Sequence, residues 1–165
     1  MRRTLRLVVH DRDAVVAAVT ALQPATLVVD VQPFVAPWGC SPDSTLSGAI
    51  ALSRHLAEAA PKLSTLVFAT NARSVLSQKL QEERPQVTLV SAACKPWRIG
   101  YLAVAPRPVV VIGDQVVTDG LLAHRLHGQF LHWQAHCRIP WWPRLQATIG
   151  YLLVKIMFSS MGQAK

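Results

Sequence analysis

The chain has 165 residues, 51% of them hydrophobic, and a formal net charge of +8. This length suits one domain with a sizeable core. The chain has three cysteines, an odd number, and none is close to another in sequence. This pattern excludes a disulfide framework and a zinc site, and it indicates reduced thiols. Because the apolar run Leu7–Val9 after the N-terminal arginines is too short for a signal peptide, we expect a cytoplasmic protein.

The excess of basic over acidic residues favours an anionic partner, such as a phosphorylated small molecule or a lipid phosphate. Basic residues interleaved with aromatic residues, as in RNA-binding motifs, are missing from the sequence, so we expect no specific nucleic acid.

Helical and strand patterns alternate along the chain. Apolar recurrence predicts helices over 11–22, 47–60, 72–83 and 120–127. Short runs rich in β-branched residues predict strands over 26–31, 63–70, 87–91, 109–113 and 129–137. The crossover before the fourth strand, residues 96–108, has room for barely two helical turns. The alternation predicts an α/β fold with a doubly wound parallel sheet, in three layers and without a large cap domain.

Polar residues stand where these strands end. Ligands of parallel α/β sheets collect at the carboxyl ends of the strands. Carboxylates there suit Mg²⁺, which prefers hard oxygen ligands. The candidate residues are Asp30, Thr70, Asn71, Lys95, Asp114 and Asp119.

Each of these residues also has a structural interpretation. Asp119 could cap the helix that follows it, and Thr70 could be a helix cap at its strand end. Lys95 could be a solvated loop charge, and Asp30 a turn former before Pro33. The histidines at 124, 127, 132 and 136 show no ligand spacing, and we expect them at the surface.

The order of the strand-end residues resembles that of the haloacid dehalogenase (HAD) superfamily of phosphatases. The resemblance is more specific to cap-less phosphatases of the YqeG and phosphatidylglycerophosphate phosphatase type, over roughly residues 11–137. The matching segments are Asp30-Val31, Pro37-Trp38, Thr70-Asn71, Lys95-Pro96, Gly113-Asp114-Gln115 and Thr118-Asp119.

The resemblance implies a magnesium-dependent phosphoric monoester hydrolase, acting through an aspartyl phosphate on Asp30. Thr70, Asn71 and Lys95 would hold the phosphate. Mg²⁺ would be bound by Asp30, Asp114, Asp119 and the backbone carbonyl of Gln32.

Gln32 departs from the family pattern, which has the general acid and base, an Asp, at this position. Gln32 keeps the backbone carbonyl but has no proton to transfer, although the resemblance places it among the catalytic residues with Asp30 and Lys95. The alternative function is therefore a catalytically impaired HAD-fold protein that binds phosphate or a membrane surface.

The tail after residue 139 is predicted as a segment separate from the 1–139 domain. It forms an amphipathic helix with Trp142, Leu145, Ile149, Leu152 and Ile156 on one face. This helix suits peripheral contact of residues 140–160 with the inner face of a membrane. Packing against the sheet or another subunit is the alternative.

Overall fold

The computed structural model describes residues 4–72, 80, 87–134 and 141–160, with the backbone alone for 141–147, 159 and 160. In this part of the chain seven strands form one sheet. The strands are β1 (Thr4–Val9), β2 (Thr26–Asp30), β3 (Thr65–Ala69), β4 (Val87–Val90), β5 (Val109–Gly113), β6 (Gln129–Trp133) and β7 (Phe158–Ser160). The helices are α1 (Arg12–Leu22), α2 (Pro42–Ala59), α3 (Leu121–Arg125) and α4 (Trp141–Met157).

The strands lie in the order β4-β3-β2-β5-β6-β1-β7, and all neighbouring pairs are parallel. From β2 the chain adds β3 and β4 on one side, and it then returns to place β5 on the other side. The order therefore reverses between β2 and β5, which opens a crevice at their carboxyl ends. The predicted α/β fold with a parallel sheet is confirmed.

Alternate strand residues pack into two cores, one on each face of the sheet. On β2, Leu27 and Val29 join the core that contains residues of α1 and α2. Val28 between them joins the core that contains residues of α3, against which α4 packs. Both faces of the strand are buried, which explains why it is a continuous run of apolar residues.

The edge containing β1 and β7 was not predicted. Arg6 interrupts the apolar run of β1, and this strand gains its partners β6 and β7 from residues far along the chain. The predicted start of α2 was also wrong, since this helix begins at Pro42 instead of residue 47. Ser41 caps it by accepting a hydrogen bond from the Ser44 amide at 3.2 Å, and Pro42 suits the first turn.

The predicted helix over 72–83 lies almost wholly outside the described residues, although Leu80 within it is buried. The end of the predicted fifth strand, from residue 135, is also outside them. The short crossover before β5 contains one helical turn, Gly100–Leu102.

The terminal helix α4 packs on the turn Val116–Gly120 and leads into β7. Gly150 is buried against Val116, and the same face carries Leu153, Val154 and Met157. The described part of the predicted apolar face points away from the domain, because Ile149, Leu152 and Ile156 are 49%, 65% and 65% exposed. Among the described residues, no helix combines the length and the apolar character that crossing a membrane requires.

Two neighbouring leucines test which face of α4 packs on the domain. Leu153→Ala should lower the free energy of unfolding by roughly 1–2 kcal/mol, because this side chain is partly buried against the core. Leu152→Ala is the matched control and should change it by less than about 0.5 kcal/mol. Urea denaturation measures both values. A larger loss for Leu152→Ala would contradict the observed packing.

Candidate active site

The site begins at Asp30, the last residue of β2, which is 9% exposed. The chain then turns sharply over Val31–Val35. Arg12 of α1 holds this turn by donating hydrogen bonds from its guanidinium to the carbonyl oxygens of Phe34 and Val35, at 3.2 and 3.3 Å. Asp30 is therefore fixed at the crevice, and it is more than a turn former.

The loops after β3 and β4 are joined through Asn71. The Lys95 amide donates to Asn71 Oδ1 at 2.8 Å, and Asn71 Nδ2 donates to the Lys95 carbonyl oxygen at 3.4 Å. The Thr70 hydroxyl oxygen accepts from the Ala72 amide at 3.1 Å, while the helix that Thr70 could cap lies almost wholly outside the described residues. Thr70 and Asn71 both line the same pocket as Lys95.

Lys95 forms two buried ion pairs. Its Nζ lies 2.8 Å from Asp30 Oδ1 and 2.6 Å from Asp119 Oδ1. Burial alone would lower the pKa of Lys95, but the two carboxylates outweigh it and the pKa is raised. Lys95 is only 4% exposed, so it is not a solvated loop charge. It stays charged and partly neutralises the acidic site.

Asp119 is fully buried by the turn Val116–Gly120. Its Oδ2 accepts a hydrogen bond from the Gln115 amide at 3.3 Å. A Cβ atom at Gly113 would lie 2.3 Å from the Asp119 carboxylate, so only glycine permits this close approach. Gly120 is the N-cap of α3, and no side chain in the described part of the chain caps this helix, so the interpretation of Asp119 as its cap was wrong.

Asp114 adds a third carboxylate. One oxygen each of Asp30, Asp114 and Asp119 lies within 4.8 Å of the others. Burial, followed by repulsion from Asp119 and Asp30, raises the pKa of Asp114 to about 8. Burial and then repulsion from Asp119, partly offset by Lys95, raise the pKa of Asp30 to about 7.

The three carboxylates fit a divalent cation. They supply hard oxygen ligands, and they carry mutual repulsion that a cation would relieve. Asp114 Oδ1 is buried and accepts no hydrogen bond from the described residues, so it has lone pairs available to a cation.

A pocket of about 250 Å³ opens at these strand ends. It brings together most of the predicted site and adds residues that had no assigned role. Gln32 lies in its wall, and the role of its backbone carbonyl as a metal ligand stays a prediction. The lining residues are Asp30, Gln32, Trp38, Thr70, Asn71, Ala72, Lys95, Gln115 and Thr118.

The expectation that His132 lies at the surface was wrong, since it is 9% exposed on β6. Arg6 of β1 donates from Nε to His132 Nδ1 at 3.1 Å, and His132 Nε2 lies 3.0 Å from the Asp114 carbonyl oxygen. Burial, followed by the nearby Arg6 charge, lowers the pKa of His132 to about 4. No local pattern could identify this residue, because its partners lie on other strands.

The raised pKa of Asp114 predicts how metal-free stability depends on pH. The folded state holds this proton more tightly than the unfolded state, so stability falls as pH rises from about 4 to about 8. Asp114→Asn removes this loss. In EDTA, the melting temperature of Asp114→Asn should equal that of the parent near pH 4 and should be several degrees higher than that of the parent near pH 8.

Added Mg²⁺ should raise the melting temperature of the parent increasingly with pH, because the cation competes with protons. Asp114→Asn should lose most of this response. If the melting temperatures of the parent and the variant in EDTA differ by the same amount at every pH, the pH dependence of stability does not come from Asp114.

Together these residues can bind an anion and a cation side by side. Lys95 and Thr70 line the pocket with a cationic side chain and a hydroxyl-bearing side chain, while the carboxylates beside it would suit a cation and one of them could act as a nucleophile. Comparison with protein-family models, curated proteins and solved structures finds no match for this chain.

Proposed function

We propose that this chain is a magnesium-dependent phosphatase of the HAD type, which hydrolyses phosphate monoesters through an aspartyl phosphate on Asp30. The observation that carries the proposal is the convergence of Asp30, Lys95, Asp114 and Asp119 beside one pocket. The pocket lies at the reversal of the strand order, where α/β sheets bind ligands. The resemblance in the order of these residues supports the same function.

Asp114, Asp119 and Asp30 would hold the magnesium ion, together with the Gln32 carbonyl. When bound, Mg²⁺ would supply positive charge that offsets the repulsion between a phosphate and the carboxylates. It would also favour the ionised form of Asp30, whose pKa of about 7 in the metal-free protein leaves part of the population protonated at neutral pH.

Asp30 is the nucleophile in this proposal. One of its carboxylate oxygens forms a bond to phosphorus, while the bond from phosphorus to the ester oxygen breaks and the leaving group departs with that electron pair. Water then attacks phosphorus, which releases inorganic phosphate and restores the carboxylate. Lys95 Nζ, already 2.8 Å from Asp30, would balance charge on the transferring group.

Thr70 and Asn71 have different tasks in this scheme. The Thr70 oxygen accepts from the Ala72 amide, and its hydroxyl proton can be donated to a phosphate oxygen. The Asn71 amide is engaged with the Lys95 backbone, so it would contribute to phosphate binding mainly by orienting Lys95.

Gln32 limits the reaction. An alkyl leaving group needs a proton as it departs, and general acid catalysis typically contributes about 10²- to 10⁴-fold. Gln32 lines the pocket but cannot supply that proton. A phenolate leaving group hardly needs one, so aryl phosphates should be cleaved faster than alkyl phosphates.

Substitutions at positions 30 and 32 test the mechanism. Gln32→Asp should raise turnover of an alkyl phosphate by roughly 10²-fold or more, because it restores a proton donor. Gln32→Asn is the matched control and should not. Asp30→Asn should abolish turnover. Release of inorganic phosphate, measured with Mg²⁺ and with EDTA, gives each rate.

Two outcomes would contradict the mechanism. The parent could hydrolyse alkyl phosphates as fast as aryl phosphates, which would show that position 32 is not needed for proton transfer. Asp30→Asn could also retain the parental rate, which would exclude Asp30 as the nucleophile.

A second candidate function is binding of phosphate or a membrane surface without turnover. Gln32 favours this function because it cannot supply the proton that turnover needs. The exposed apolar face of α4 favours membrane contact. A lipid phosphate would suit both candidates, because its phosphate could enter the pocket while the helix contacts the surface. Inorganic phosphate binding, with no turnover of any ester by the parent, would favour this second function.

A further inference from the structure

Partly buried contacts connect β1 to the acidic site through His132. Arg6 Nε donates to His132 Nδ1 at 3.1 Å, and a second guanidinium nitrogen also contacts Nδ1. On the other side of the ring, Nε2 lies 3.0 Å from the carbonyl oxygen of Asp114. Since β6 pairs with β1 and β5, the three residues lie on adjacent parts of the sheet.

The contacts determine which ring nitrogen carries the hydrogen. An arginine can only donate hydrogen bonds, so Nδ1 must accept and has no hydrogen. In the neutral ring the hydrogen is then on Nε2, which donates to the Asp114 carbonyl oxygen. Arg6 thus sets the tautomer in which His132 can hold the Asp114 peptide.

We propose that His132, held in this tautomer by Arg6, is a positioning residue for the cation site. It fixes the Asp114 peptide, and this directs the Asp114 carboxylate toward Asp30 and Asp119. The inference rests on the proposed metal site but not on the phosphatase reaction. Residues that orient metal ligands in this way typically affect metal affinity about 10- to 100-fold.

Magnesium titrations of the full chain, followed by the melting temperature, test this role. His132→Leu should weaken the apparent dissociation constant for Mg²⁺ by roughly 10-fold or more. Arg6→Met should weaken it too, although Arg6 contacts none of the three carboxylates. His132→Gln should retain most of the affinity, because its amide carries both a donor and an acceptor.

His124→Leu is the matched control. His124 Nδ1 lies 2.9 Å from the hydroxyl of Thr4, at the opposite end of β1 from the site. Its loss should lower the melting temperature in EDTA without changing the magnesium dissociation constant. The nitrogen chemical shifts of His132 give an independent measurement, and they should show the hydrogen on Nε2 in the parent and a changed tautomer ratio in Arg6→Met.

The outcomes separate the inference from the proposed function. If the parent binds Mg²⁺ and both His132→Leu and Arg6→Met melt lower in EDTA with unchanged magnesium affinity, the contacts are merely structural and the inference is overturned. A hydrogen on Nδ1 in the parent overturns it as well, even where His132→Leu fails to fold. A parent with no response to Mg²⁺ overturns the metal site and this inference together.

Discussion

The organisation of the site depends on the Lys95 ammonium held between the carboxylates of Asp30 and Asp119. The three side chains come from the end of β2, the loop after β4 and the turn after β5, and the order of the parallel strands brings these segments to one edge. Burying ions costs several kcal/mol each unless charge and hydrogen bonds compensate. The Gln115 amide supplies such a hydrogen bond to Asp119, while the Asn71 side chain holds the backbone of Lys95.

The compensation is incomplete, and this favours a ligand. With Asp114 ionised, three carboxylates face one ammonium, so the cluster has a net charge of −2. Burial, and then repulsion from Asp119 and Asp30, raise the pKa of Asp114 to about 8, so ionising all three carboxylates is unfavourable without a cation. Apolar residues of similar volume would commonly be at least as stable as a buried ionic cluster. A divalent cation would restore the balance, so the arrangement is better explained as a binding site than as a source of stability.

Much of the fold and site could be predicted from local patterns. Buried parallel strands are continuous apolar runs, and a polar residue at the end of each run necessarily lies at one edge of the sheet. This geometry is why Asp30, Thr70, Lys95 and Asp114 could be grouped before any contact was known. The β1 edge and His132 could not, because Arg6 and His132 are separated by 126 positions. Periodicity also identified an apolar face of α4, but it could not show that the opposite face packs on the domain.

Gln32 is constrained differently from the charged residues. Lys95, Asp30 and Asp119 contact one another across separate elements, so a change in one leaves a buried charge without its partner. Gln32 is half-buried in the pocket wall, and a neutral amide there disturbs none of these ion pairs. In the proposed mechanism, the glutamine removes proton transfer at this position while the ion pairs are retained. In the proposed function, ion binding and turnover would therefore depend on different residues.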